Sequence, residues 1–161
     1  MRNDDVERLY AAEAPGLFSF LAYRTGDRML AQDLLADAFE RALRGRGRFD
    51  HRRGSEKTWL YAIALNVLRD HVRRAAAEAR ATGRVGTASE ALVDAGIQAV
   101  GDRDELARAL GTLSAEEREA IALRFGAELT MPEMAVALGE KLTTVEGRVY
   151  RALRKLRAEL E

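Results

Sequence analysis

There is no cysteine among the 161 residues, which excludes disulfides and thiolate metal ligands and suits a reducing cytoplasm. Proline occurs only twice, so little interrupts a helix-favouring mix of alanine, leucine, arginine and glutamate. Runs of alternating β-branched residues are lacking, and with them the signature of strands. No apolar run reaches the roughly 18 residues a membrane span requires. The opening stretch, MRNDDVERLY, has no apolar core of the kind a signal peptide carries. Two widely spaced histidines leave few general bases or metal ligands. There is no phosphate-binding loop, no HExxH and no nucleophile elbow. The expectation is an all-α protein with no membrane insertion, no metal, no cofactor and no catalytic residue.

Net charge is also lacking: 26 basic residues balance 26 acidic ones. That argues against a simple DNA-coating protein, but the distribution says more. Residues 1–40 carry −4, residues 41–80 carry +7, residues 81–120 carry −4 and residues 121–161 carry +1. One basic block between acidic ones reads as a localised polyanion site. A solvated charged face gives the same pattern.

What is present is 47% hydrophobic and 32% charged residues, a globular balance. A first helix is expected from about Asp4 to Arg24, closed near Gly26, and a second from about Asp27 carrying MLAQDLLADAFERAL. The loop RGRGRFDHRRGS, residues 44–55, holds three glycines and five arginines. A third helix, KTWLYAIALNVLRDHVRRAAAEAR, follows. Residues 81–101 are small, Gly-punctuated and nearly uncharged, which reads as a tether with a short helix at 89–95. The chain thus divides into residues 1–80, a linker 81–101, and residues 102–161. In the last part, Ser114 with Glu117 and Thr130 with Glu133 form two capping boxes, and Gly139 closes the second helix. Two short helices about a tight turn make a helix-turn-helix, although hairpins with no DNA role look similar.

On the last helix, Leu142, Val145, Val149, Leu153, Leu156 and Leu160 fall on one stripe, the expected core face. Opposite lie Thr144, Gly147, Arg151 and Arg154, with Arg148 and Lys155 on the flanks. Arginine can grip guanine edges or neutralise phosphates, and Thr143 and Thr144 sit at the N-terminal end where such helices meet bases. Gly147 costs about 1 kcal/mol of helix propensity. It reads equally as close backbone approach to a duplex or as a tolerated imperfection. On the third helix, Leu60, Ile63, Ala64, Val67, Leu68 and Val72 form a broad apolar side, and Trp59, Asn66, Arg69 and Arg73 share the other. A tryptophan among basic residues can stack on an unpaired base, or it can pack under the preceding loop. His51, Arg52, Arg53, Lys57 and the flexible Gly54 surround it with a basic loop.

The segments DLLADAFERALRG, FDHRRGS, TWLYAIALN, DHVRR, LSAEEREAIALRF, LTMPEMAVALG and TTVEGRVYRALRKLR, in this order, resemble the extracytoplasmic-function sigma factors of bacterial RNA polymerase. The resemblance covers nearly all the chain outside residues 81–101. It implies two helical domains, region 2 and region 4, joined by a flexible linker. It implies binding to core RNA polymerase, promoter DNA and an anti-sigma factor in the cytoplasm. Carried over by motif, Asp33, Leu34, Asp37, Phe39, Arg41 and Arg44 would dock on the polymerase. Phe49, His51, Arg52, Arg53, Lys57, Trp59, Asn66, Arg69, Arg73 and Arg74 would handle the −10 strand. Thr143, Thr144, Gly147, Arg148, Arg151 and Arg154 would face the −35 duplex. Glu56, Glu140, Glu146 and Gly147 depart from the family's pattern and bear on the −35 sequence and on the strength of DNA contact. Two other readings share these features: a stand-alone helix-turn-helix regulator, and a sigma-like protein that titrates polymerase or an anti-sigma factor.

Overall fold

A computed structural model describes residues 1–83 and 104–160, which form seven α-helices and no strand. The expected helix at 89–95 and nearly all of the expected tether lie outside the described residues.

The first lobe is built from α1 (Asn3–Thr25), α2 (Arg28–Arg44) and α3 (Glu56–Ala81). Gly26, at φ 68°, ends α1 in the left-handed region and donates its N–H to the Ala22 carbonyl. Asp27 then caps α2 at once, its carboxylate accepting from the N–H groups of Met29 and Leu30 at 3.0 and 3.1 Å. A left-handed glycine followed directly by an N-cap residue turns the chain in the least length. A 3-10 turn at Arg46–Arg48 leads into the basic loop, and Ser55 caps α3 through the Thr58 N–H.

The second lobe comprises α4 (Asp104–Gly111), α5 (Ala115–Ile121), α6 (Met131–Leu138) and α7 (Leu142–Leu160). Both expected capping boxes form. Glu117 accepts from the Ser114 N–H and Glu133 from the Thr130 N–H, each at 2.8 Å. Helix α5 runs on into a π turn, Ala122–Gly126, where the Ala127 N–H reaches back five residues to the Ala122 carbonyl. The wider turn lets both Leu123 and Leu129 face the interior, where they are fully buried. Gly139, at φ 67°, closes α6, and the helix-turn-helix follows as expected.

The lobes share one apolar core. Leu60, Tyr61, Leu65 and Leu68 of α3 belong to the same buried cluster as Leu123, Met134, Val145 and Val149 of the second lobe. Helix α3 lies against α6, and α1 against the π turn. Polar links also cross the seam. Arg24 donates to Glu119 at 3.1 Å, with both side chains largely buried. Thr58 donates to Glu133 at 3.2 Å.

The core stripe of α7 differs from the sequence expectation. The residues fully buried are Val145, Val149 and Ala152, with Leu156 partly covered, whereas Leu142, Leu153 and Leu160 are exposed. Ala152 packs on Leu110 and Leu113 because α4 lies across α7 at that point. A small residue there lets the helices approach closely. The seam is therefore rotated away from the larger leucines.

Two measurements follow from the caps. Ser114→Ala removes one partner of a capping box and should lower the urea unfolding free energy by about 1 kcal/mol. The second concerns acid. Burial pushes the Glu117 carboxyl up, but bonds from Lys155 and Ser114 outweigh it and leave it below its ordinary 4.5. Glu133 is lowered mainly by the Thr130 backbone N–H. A folded-state pKa below the unfolded value stabilises the protein above the unfolded pKa and is lost as pH falls through the folded one. Urea midpoints should therefore fall as pH drops below the ordinary glutamate value of 4.5, and E117Q and E133Q should each flatten that fall.

Candidate nucleic-acid interface

The residues expected to handle a single strand fall into three groups, with Arg74 outside them. The first surrounds Trp59. Its ring is partly buried and meets Phe49 edge-on, with centroids 5.4 Å apart. Thus the tryptophan does pack beneath the loop, and it also lines an open hollow with Arg41, Arg44, Arg48, Ile63 and Asn66. An aromatic ring floor with guanidinium groups and an amide at the rim offers stacking together with phosphate and base-edge bonds. Arg48 was not singled out in the sequence. The 3-10 turn brings it there, and no helical periodicity reveals that.

The second group is the loop. His51, Arg52 and Arg53 are exposed on a turn organised by Asp50, whose carboxylate accepts from the Arg52 N–H at 3.0 Å. Lys57 is partly buried and lies close enough to Glu133 to lower its pKa. The third group, Arg69 and Arg73, lines a cleft between the lobes. Arg24, Glu116, Glu119, Glu140 and Arg148 complete its charged wall. Arg74 stands apart, on the side of α3 that holds Asp70 and Ala77.

On α7, Thr143, Thr144, Arg151 and Arg154 are exposed. Gly147, Tyr150, Arg151, Leu153, Arg154 and Arg157 line one shallow surface. Tyr150, 53% exposed, was missed by the sequence reading. It would have been found had the buried stripe been set at Val145, Val149 and Ala152. A Cβ placed on Gly147 would lie 3.3 Å from Nη1 of Arg151, so the missing side chain gives that guanidinium room to fold back along the helix. Arg148 points elsewhere. Its side chain is only 12% exposed. It donates twice to Glu140, at 3.0 and 2.7 Å.

The six residues expected to dock on polymerase are also divided. Leu34 and Phe39 are buried in the core, so they hold α2 in place rather than offer a surface. Arg41 bonds Asp37 and also Asp70 of α3, tying the two helices. Asp33 and Arg44 are exposed, Arg44 pairing with Glu40.

Comparison with known proteins matches residues 9–78 to Sigma-70 region 2 and residues 103–156 to Sigma-70, region 4. The probable RNA polymerase sigma-C factor of Mycobacterium bovis is 33% identical over 97% of this chain and 83% of its own length. The ECF RNA polymerase sigma factor SigM of Bacillus subtilis is 26% identical over 95% of this chain and 93% of its own. Among solved structures, sigma factor RpoE with the anti-sigma factor NepR, from Bartonella quintana, shares the fold at a TM-score of 0.75 and 23% identity. The match covers 97% of this chain and 96% of that one. CnrH in complex with the cytosolic domain of CnrY gives 0.68 at 26% identity, over 99% and 89%. The chain belongs to the ECF sigma factors of RNA polymerase.

Proposed function

We propose that the two lobes divide the reading of one promoter. The first lobe, residues 1–80, captures the −10 strand in the hollow beside Trp59, with Asn66 and Arg48 at its rim. Arg69 and Arg73 and the loop arginines Arg52 and Arg53 steer the backbone toward it. The second lobe, residues 102–161, lays α7 in the −35 major groove, with Thr143, Thr144, Arg151 and Arg154 toward the duplex. The linker, residues 81–101, spans between them. The observation that carries this reading is the presence of two exposed basic surfaces, one on α3 with its loop and one on α7, in a chain of this family. The protein acts by binding and strand capture in the cytoplasm, and the polymerase supplies the chemistry.

The shared core has a consequence for this division. A compact chain of this length has a radius of gyration of about 15 Å, hence a diameter of about 40 Å. Promoter elements about 25 base pairs apart, at 3.4 Å per pair, are separated by about 85 Å. The lobes therefore part when both elements are read, breaking the Arg24–Glu119 and Thr58–Glu133 links. An anti-sigma factor that binds the closed arrangement would oppose that step. The structural neighbours RpoE and CnrH, each matched across both lobes, are bound to NepR and to the cytosolic domain of CnrY.

The deciding experiment is transcription by bacterial core RNA polymerase on fragmented genomic DNA, with and without the protein. New start sites sharing two spaced elements are expected. Polymerase binding without new starts would indicate a titrating relative instead, and no binding at all an independent regulator. On a promoter found this way, Arg151→Ala should cost roughly 1–3 kcal/mol of discrimination at one −35 position, read from start-site yields on single-base variants. Trp59→Ala should slow open-complex formation more than closed-complex binding, followed by a fluorescent base at −10 and by gel shift in the cold. Equal effects on both steps would assign Trp59 to packing alone.

A further inference from the structure

The turn of the helix-turn-helix carries an acidic residue beside a helix meant for DNA. Charge alone makes Glu140 a liability there, since a carboxylate near a phosphate backbone repels it. The geometry points to a different role. Both oxygens of Glu140 accept from both terminal nitrogens of Arg148, at 3.0 and 2.7 Å. This fork is the strongest and most directional arrangement the two side chains can make. Glu140 is 29% exposed and Arg148 12%, so the pair is shielded from screening. The bond holds the Glu140 carboxyl below its usual range, as a fixed ion pair would. Both partners belong to the second lobe, so the pair does not depend on the lobes being closed.

We propose that Glu140 and Arg148 are positioning residues that fix the pitch of α7 on α6, so that Thr143, Thr144 and Arg151 meet the −35 duplex in register. Gly139 ends α6 in the left-handed conformation, and α7 begins only three residues later. Within so short a turn, the angle between the helices is open to few restraints. The Val145–Val149 seam sets the contact line, and the Glu140–Arg148 fork blocks rotation about it. Arg148 sits on the α7 flank that also carries Lys155, and Lys155 is likewise engaged, with Glu117 of α5 at 2.7 Å. Glu116 of α5 stands 3.8 Å from Arg148 on the same side, and Arg69 of α3 faces Glu140 from across the cleft. One flank of α7 is thus bolted to the protein while the face bearing Arg151 and Arg154 stays open. A duplex meets the open face and does not displace Arg148.

This inference rests on the promoter-reading role of the second lobe, and the test separates the two. Core polymerase with the full chain transcribes a mapped promoter and the same promoter with its −35 element scrambled. The ratio of yields is the −35 dependence. With the unaltered protein, absence of any new start site overturns the promoter reading itself. Given a working promoter, Glu140→Gln and Arg148→Met should each reduce the ratio about tenfold, and the double variant should be no worse than either alone. Arg148→Lys keeps the charge but loses the fork, and should behave like Arg148→Met. The exchanged pair E140R/R148E should recover part of the ratio. The dependence of yield on log salt should keep its slope, since no phosphate contact is lost. All variants are read below their measured unfolding temperature, and yield on the −35-scrambled promoter, which depends on the −10 element, should not change. A direct DNA contact by Arg148 predicts the opposite sign. Glu140→Gln would then free the arginine and raise the ratio, Arg148→Lys would retain it, and Arg148→Met would flatten the salt slope. Any of these outcomes overturns the proposal.

Discussion

Helix α3 is held from three directions, and the placement of the candidate strand-binding residues on it follows from that. The Tyr61 ring meets Phe20 of α1 edge-on at 6.0 Å, Asp70 accepts from Arg41 of α2, and Thr58 donates to Glu133 of α6. A helix has little circumference left once three neighbours are placed on it. What remains carries Trp59, Asn66, Arg69 and Arg73, the residues whose chemistry suits an unpaired strand. The basic surface is therefore a by-product of packing as much as of composition. Apolar contact takes the sides of α3 where Leu60, Ala64, Leu65, Val67 and Leu68 stand, and Asn66, Arg69 and Arg73 face outward.

The two capping boxes show how local signals become tertiary ones. Glu133 caps α6 with one oxygen and reaches Thr58 of the other lobe with the second. Glu117 caps α5 and also accepts from Lys155 of α7, 38 residues away. Sequence shows the first role of each through the three-residue spacing from Ser114 or Thr130. It cannot show the second, because nothing in the local pattern says which cation or hydroxyl will arrive. Arg24 and Glu119, 95 residues apart, are invisible to sequence reading for the same reason.

That limit separates what was legible from what was not. Helix bounds were legible because the chain announces them with Gly26, Asp27, Ser114, Thr130 and Gly139, each acting within one turn of itself. The buried side of α7 was misjudged because a helical wheel shows which residues share a face, not how wide the neighbour is. Leucines at 142, 153 and 160 looked like core, yet the seam formed at Ala152, where α4 needs room. The helical wheel puts Arg148 on the flank of α7 and the family resemblance turns it toward DNA, but nothing in the local pattern pairs it with Glu140 eight residues earlier. Leu34 and Phe39 came from the motif, and their burial shows that motif residues on α2 include those that support the helix as well as those that show a surface.

The zero net charge then has a structural account. Several acidic residues are spent inside the molecule: Asp70 on Arg41 and Arg73, Glu119 on Arg24, Glu117 on Lys155, Glu140 on Arg148. Such pairings engage much of the acidic charge within the molecule, so overall charge says little about what DNA meets. Exposed cations nevertheless stand on both surfaces assigned to the promoter elements, Arg52, Arg53 and Arg69 on the first and Arg151 and Arg154 on the second. The acidic wall of the cleft faces the first of these surfaces only while the lobes are together. Separating them withdraws Glu116, Glu119 and Glu140 from the vicinity of Arg69 and Arg73. On the proposed reading, the movement that would let the chain span a promoter is the same movement that raises the positive potential beside Arg69 and Arg73.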